Sequence, residues 1–343
     1  MPQLRKDPIS GRWVIIASER SKRPDDFRGN SEPKPEAPAA FCPFCAGNES
    51  KTPPEVYSLR TPGTLPDQEG WRVRVVPNKF PALARGGQSE RFQKGVYEAM
   101  SGLGVHEVVI ETPDHGLEVS DLSLAHLQEV IETFQARITS IEAEHQYQYV
   151  QVFKNKGREA GASLSHPHSQ IVATPIIPKR IKEELYGAER LFKKYQECVF
   201  CRIIKQETAA RERLIEQNGH FCGLAPFASR FPFEMQVFPF RHSSHFTDMS
   251  REEVQDLAAV LKSVLTKLKK VLADPPYNLV LHQTPNPNIT GGEWPGLSKD
   301  FHWHLEILPV LTRVAGFEYG TGFYINPVPP EAAAEFLSAE KTS

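Results

Sequence analysis

The sequence predicts a mixed helix-and-strand fold made by tandem duplication of one unit, and three observations carry that reading. Two C-x-x-C pairs occur, Cys42/Cys45 and Cys198/Cys201. Two H-x-H pairs occur, His166-Pro167-His168 and His302-Trp303-His304. Between each C-x-x-C and its H-x-H the order is the same: strand, a histidine at a strand end, a long amphipathic helix, a strand and a loop. Insertions fall in the loops and the order survives, which places one unit at residues 1–178 and the other at 179–343.

The elements follow in chain order. Residues 11–17 (GRWVIIA) read as a strand, after which Arg20 and Arg23 lead into a Pro-rich loop and the first C-x-x-C. WRVRVVPN (71–78) alternates as a strand and ends at Asn78, and HEVVIETPDH (106–115) is a strand ending at His115. Leu124, Leu127, Val130, Ile131, Phe134 and Ile138 recur at helical spacing. YVQVFKN (149–155) is a strand feeding a loop, and QIVATP (170–175) continues the sheet beyond it. In the second unit a charged helix precedes Cys198, and residues 224–242 supply strands ending at His242. Ser250 and Glu253 stand at capping-box spacing before an apolar stripe that includes Val254, Leu257 and Leu261. YNLVLHQ (277–283) is a strand, and His302 to Glu306 open another.

The loop from Asn155 to Gln170, NKGREAGASLSHPHSQ, carries the chemistry. In an extended segment alternate side chains share a face, so His166, His168 and Gln170 stand together. Gly157 and Gly161 allow the backbone to approach a phosphate closely. A neutral imidazole near pH 7 is a good nucleophile toward phosphorus, and an amide beside it can donate to a phosphoryl oxygen.

Five cysteines, four of them in C-x-x-C pairs and Cys222 alone, fit metal binding better than a disulfide framework. Cys42, Cys45, His115 and His166 make one Cys2His2 set, and Cys198, Cys201, His242 and His302 make its counterpart. Two thiolates and two imidazoles satisfy tetrahedral zinc without an open position, so two structural zinc ions per chain are expected. With His166 a ligand, His168 is the free imidazole. Glu306 takes the place of Gln170 in the second unit, and a carboxylate there repels phosphate, so one active centre per chain is expected.

Lys+Arg 40 against Asp+Glu 42, a net charge of −2, argues against a nucleic-acid partner. The sequence has no apolar run of membrane-spanning length and no secretion signal at its start, so a cytoplasmic enzyme without a membrane partner is expected.

With H-P-H-S-Q preceded by N-K-G-x-x-x-G-x-S, and C-P-F-C upstream, the chain resembles the galactose-1-phosphate uridylyltransferase family of the histidine-triad superfamily. That resemblance implies an α+β fold of two histidine-triad-like units, each an antiparallel sheet with flanking helices. It also implies ping-pong transfer in a homodimer: His168 attacks UDP-glucose, glucose 1-phosphate leaves, and galactose 1-phosphate takes up the uridylyl group. By matched position, Arg20, Arg23, Asn78, Asn155, Gly161, Ser163 and Gln170 contact the nucleotide and phosphates, and Phe317 and Glu318 hold the hexose. The sequence departs from the family in three places. The second C-x-x-C stands where bacterial members use a glutamate and three histidines, a set that Glu184, His282, His302 and His304 could mimic. Phe317 replaces a tyrosine, and Tyr324 falls where glutamine is frequent. The second unit and the ending GFE-x-G-T-G-x-Y-I-N-P are also similar to the plant ADP-glucose phosphorylase branch, whose adenylyl transfer to phosphate is the alternative reading. A non-catalytic zinc-stapled nucleotide-binding module and a hydrolase using the same intermediate are the remaining alternatives.

Overall fold

A computed structural model describes residues 2–17, 23–27, 41–87, 90–290 and 294–341. Ten strands form one antiparallel sheet. The first unit supplies β3 (Tyr57–Arg60), β4 (Trp71–Pro77), β7 (Val105–Ile110), β8 (Tyr149–Lys156) and β9 (His168–Thr174). The second supplies β10 (Leu214–Gln217), β11 (Phe221–Leu224), β12 (Met235–Pro239), β13 (Tyr277–His282) and β14 (His304–Pro309). The spatial order is β3-β4-β7-β9-β8-β13-β14-β12-β11-β10. Counted from either edge inward, the strands of each unit arrive in the same sequence, with the last two exchanged. The two units therefore mirror one another about the β8–β13 seam, where Asn155 pairs with Asn278.

The helices repeat as well. Helix α1 (Leu124–Glu142) joins β7 to β8, and α4 (Arg251–Leu272) joins β12 to β13. Both bury their apolar stripes on one sheet face, against Val109, Val152 and Ile171 in one unit and Val237, Leu279 and Ile307 in the other. Ser123 caps α1, accepting from the His126 N–H, and Ser250 and Glu253 form the reciprocal capping box expected for α4.

The opposite face differs between units. Helices α2 (Lys179–Tyr195) and α3 (Val199–Ala210) cover it in the second, packing around Phe200, Phe238 and Phe301. In the first unit, among the described residues, Phe44 of the C-x-x-C loop packs there over Trp71, Val76, Val108 and Ile110. A small sheet ties the chain ends together: β1 (Gln3–Lys6), β2 (Trp13–Ile16) and β15 (Tyr324–Asn326), with β2 and β15 parallel. The strands β5 (Arg91–Lys94) and β6 (Tyr97–Met100) form a separate hairpin. The short helices α5 (Pro287–Thr290), α6 (Leu297–Asp300) and α7 (Gly316–Thr321) precede the C-terminal α8 (Pro330–Ala339).

Two expected strand ends move. Strand β7 stops at Ile110 and β12 at Pro239, so His115 and His242 lie in the turns beyond rather than at strand termini. Pro113 has no N–H for the ladder, and Asp114 N–H turns back to Thr112 Oγ1 at 3.2 Å. His166 likewise lies in a bend ahead of β9, which begins at His168.

Candidate active site and metal clusters

The β7–β9 register sets the site. Ile110 pairs with His168, Val108 with Gln170 and His106 with Val172, so all six side chains share the sheet face away from α1 and α4. His168 is buried, and its ring lies 5.3 Å from that of Phe44. Its Nδ1–H donates to the His166 carbonyl at 2.8 Å. A carbonyl can only accept, so the proton is on Nδ1 and the lone pair of Nε2 is left for substrate. Burial holds the imidazole below its ordinary range, with Lys154 acting in the same sense and the His166 carbonyl opposing them. The ring is therefore neutral at pH 7, as a nucleophile must be.

The loop before it has the geometry its glycines suggested. Gly157 sits at φ 84°, and a Cβ there would meet Pro276 at 2.9 Å. Gly161 sits at φ 96°, a conformation glycine adopts without strain. Asn155 follows Lys154, which pairs with Ser169, and so lies level with His168. Its Oδ1 accepts from Asn278 Nδ2 at 2.9 Å, while the same amide donates to the Ala160 carbonyl at 2.7 Å. That hold leaves the Asn155 amide nitrogen facing Gly161. Ser163 is exposed in the same loop.

His166 turns away from this constellation. With Cys42, Cys45 and His115 it forms a cluster whose candidate ligand atoms all lie within 4.8 Å of one another. Cys45 Sγ is 3.3 Å from His115 Nδ1 and 3.5 Å from His166 Nδ1. The other ring nitrogens are engaged by protein: His166 Nε2–H donates to the Thr112 carbonyl at 2.8 Å, and His115 Nε2 is 3.1 Å from Ser165 Oγ. The second cluster repeats the arrangement with Cys198, Cys201, His242 and His302. Cys201 Sγ is 3.4 and 3.6 Å from the two Nδ1 atoms, and the Nε2–H groups donate to the Ser298 and Pro239 carbonyls, each at 3.0 Å. A tetrahedral zinc ion with two sulfur and two nitrogen ligands has S···N edges of about 3.6 Å, and fixing the outer nitrogen of each imidazole is what metal-ligating histidines require. Both donor sets fit a metal ion.

A third cluster, Glu184, His282 and His304, forms without His302, which belongs to the cysteines. Here the acids are already satisfied. His282 Nδ1 is 2.8 Å from Glu184, and its Nε2 is 3.3 Å from Glu306. Burial alone would lower the His282 pKa, but the two carboxylates outweigh it and push it up to about 10. These contacts make an ion network of residues whose candidate ligand atoms also lie within 4.8 Å of one another.

The remaining expected residues lie apart. Arg20 is outside the described residues. Arg23 is exposed, with its backbone N–H on Asp26. On α7, Phe317 is 44% exposed and Glu318 accepts from the Ala315 N–H at 3.0 Å, capping its own helix. Tyr324 packs edge-on against Phe231. Asn78 does join the site, with its Nδ2 3.0 Å from His106 Nε2. The sequence reading missed His106 and Asn278, because which strands pair decides what they touch.

A family model, "Galactose-1-phosphate uridyl transferase, N-terminal domain", matches residues 1–178. The chain belongs to that family. A second model, a domain of unknown function, matches residues 118–340. The chain is 39% identical to an ADP-glucose phosphorylase of Arabidopsis thaliana, over 98% of its length and 92% of the relative's. It is 31% identical to a galactose-1-phosphate uridylyltransferase of Thermotoga maritima, over 98% of each. The crystal structure of an Arabidopsis thaliana ADP-glucose phosphorylase with bound ADP-glucose superposes with a TM-score of 0.81, at 34% identity and full coverage of both chains. The family is one of nucleotidyltransferases, and this chain is a nucleotidyltransferase with an α+β antiparallel fold.

Proposed function

We propose that the chain transfers a nucleotidyl group by a ping-pong route, from UDP-glucose to galactose 1-phosphate, with His168 as the covalent carrier. The observation that carries this reading is the tautomer of His168, whose Nδ1–H is spent on the His166 carbonyl at 2.8 Å while Nε2 keeps its lone pair. Nε2 forms a bond to the α-phosphorus as the bridging P–O bond breaks, and glucose 1-phosphate leaves with that electron pair. A phosphate oxygen of galactose 1-phosphate then attacks the same phosphorus, the P–N bond breaks, and UDP-galactose departs. The His166 carbonyl stabilises the positive charge that the ring carries while esterified. Gln170 and Asn155 donate amide hydrogens to the phosphoryl oxygens. Gly161, Ser163, Asn78, Arg20 and Arg23 contact the nucleotide and its phosphates, and Phe317 and Glu318 hold the sugar.

Residues 1–178 and 179–343 act as two histidine-triad-like domains in a cytoplasmic homodimer. Zinc, held by Cys42, Cys45, His115 and His166 and again by Cys198, Cys201, His242 and His302, supplies cross-linking rather than chemistry. In the first cluster those ligands fix the bend at His166, and with it the carbonyl that orients His168.

The second reading, ADP-glucose phosphorolysis through the same histidine, is favoured by the 39% identity to the Arabidopsis enzyme. Paired assays decide between them. UDP-glucose with galactose 1-phosphate is turned over on the first reading, and ADP-glucose with inorganic phosphate on the second. In either case acid-labile nucleotide appears on the wild-type protein and not on His168→Ala. An unlabelled wild type with both donors, or label that persists in the variant, overturns the covalent route.

A further inference from the structure

His106 reaches the site from the neighbouring strand and touches one of its candidate donors. The β7–β9 register puts it diagonally across from Gln170, on the same face. Its two ring nitrogens have different partners. Nδ1 accepts the backbone N–H of Ala82 at 3.1 Å. A backbone amide can only donate, so the ring proton must be on Nε2. Nε2 lies 2.8 Å from Gln170 Oε1. The backbone amide of Ala82 thus fixes the role of Nδ1, and Nε2–H donates to Gln170 Oε1.

Gln170 has one acceptor and one NH2 donor, and a phosphoryl oxygen accepts only from the donor. A glutamine free to rotate about its last torsion would present either end. The His106 Nε2–H selects the oxygen and so turns the NH2 outward. Asn78 does not compete for that proton. Its Oδ1 is taken by the Phe80 N–H at 2.9 Å, and its Nδ2 lies 3.0 Å from the same Nε2. With the proton on Nε2 that last contact joins two donors, so the hydrogen bond goes to Gln170.

We propose that His106 is a positioning residue for nucleotidyl transfer: its Nε2–H clamps the Gln170 carbonyl oxygen so that the Gln170 amide donates to the substrate's α-phosphoryl oxygen. This rests on the covalent route through His168. The second unit has no such clamp, since the residue at the Gln170 position there is Glu306, bound by Arg230 and His282.

The test is a double-mutant cycle on single-turnover labelling of His168 by radiolabelled UDP-glucose and ADP-glucose. His106→Ala slows labelling about 10- to 100-fold, as Gln170→Ala does, with the KM for the nucleotide sugar changed less than about threefold. The variant carrying both changes is no slower than Gln170→Ala alone. His106→Gln, whose amide can donate from near the Nε2 position, recovers most of the rate. Multiplying effects in the double variant, a loss confined to KM, or no rescue by His106→Gln each overturns the clamp. A readout independent of activity runs beside it. In histidine-15N-labelled protein, His106 shows the Nε2–H tautomer, and its Nε2 shift moves in Gln170→Ala. An Nδ1–H tautomer or an unmoved shift overturns the clamp. Absence of label on wild-type His168 overturns the transfer reading instead.

Discussion

Gln170 and Glu306 occupy the same position in the two units, each two residues past the second histidine of an H-x-H and on the same face of matching strands. Their partners differ in kind: Gln170 Oε1 faces His106 Nε2 at 2.8 Å, whereas Glu306 Oε2 accepts from Arg230 at 2.7 Å and from Arg180 at 3.0 Å. Burial would raise the Glu306 pKa, but Arg230 and His282 hold it well below the ordinary carboxylate range. An ionised carboxylate only accepts, and this one is already engaged by cations, so it has no hydrogen to donate to a phosphoryl oxygen. The expected outcome is that His304→Gln leaves nucleotide labelling of the protein within about threefold of wild type, while His168→Gln abolishes it. Acid-lability of the label and mass mapping to the peptide containing residue 168 check this.

The same network predicts a stability effect. Arg230 is 4% exposed and donates to both Glu234, at 2.8 Å, and Glu306. Replacing it with methionine keeps most of the volume and leaves two buried carboxylates without their shared cation. Removing one partner of a buried ion pair costs about 3–5 kcal/mol, mostly from the uncompensated charge. Denaturant unfolding of Arg230→Met should show that loss. Labelling of His168 in the fraction that remains folded should be unchanged, because the network lies in the other unit.

Much of this was legible in the sequence, and the illegible part has a physical pattern. The α4 cap was readable because Ser250 and Glu253 signal through local hydrogen bonds, and the stripes of α1 and α4 because burial follows the helical period. The two cysteine–histidine clusters were readable because their donor types repeat in order. Strand pairing left no such trace. Nothing in the sequence says that β8 and β13 share a seam, and so nothing marked Asn278 as the residue holding Asn155. His106 was hidden for the same reason, since it stands 64 positions from Gln170. The ends of β7 and β12 were placed too late because His115 and His242 reach their clusters from turns, and a turn residue breaks alternation without announcing where the ladder stops.

The two metal clusters should separate in their effects. Cys201→Ser should lower bound zinc from two per chain to one, measured by elemental analysis, and lower the thermal midpoint while sparing His168 labelling. Cys45→Ser should also leave one zinc per chain. Its labelling rate should drop at least about tenfold, because the His166 bend carries the carbonyl that orients His168, and small displacements of a nucleophile are costly. Equal labelling by the two variants would count against that link.

A last prediction concerns the chain ends. Glu331 on α8 accepts from Arg5 at 2.8 Å and from Arg213 at 2.7 Å, tying β1 and the segment before β10 to the C-terminal helix. Burial would raise its pKa, but hydrogen bonds from Arg5 and Arg213 and the charge of Arg5 outweigh that and lower it. A carboxylate whose pKa is depressed on folding adds stability above its unfolded value, about 4.3, and loses it as pH falls through the folded value. The side chain is about one-third exposed, so solvent screening limits the effect to about 1 kcal/mol. Glu331→Gln should thus unfold at lower denaturant than wild type at pH 7, with the gap closing progressively below pH ~4.3. A gap that persists at pH 3 would show that the glutamate acts through packing and not through its charge.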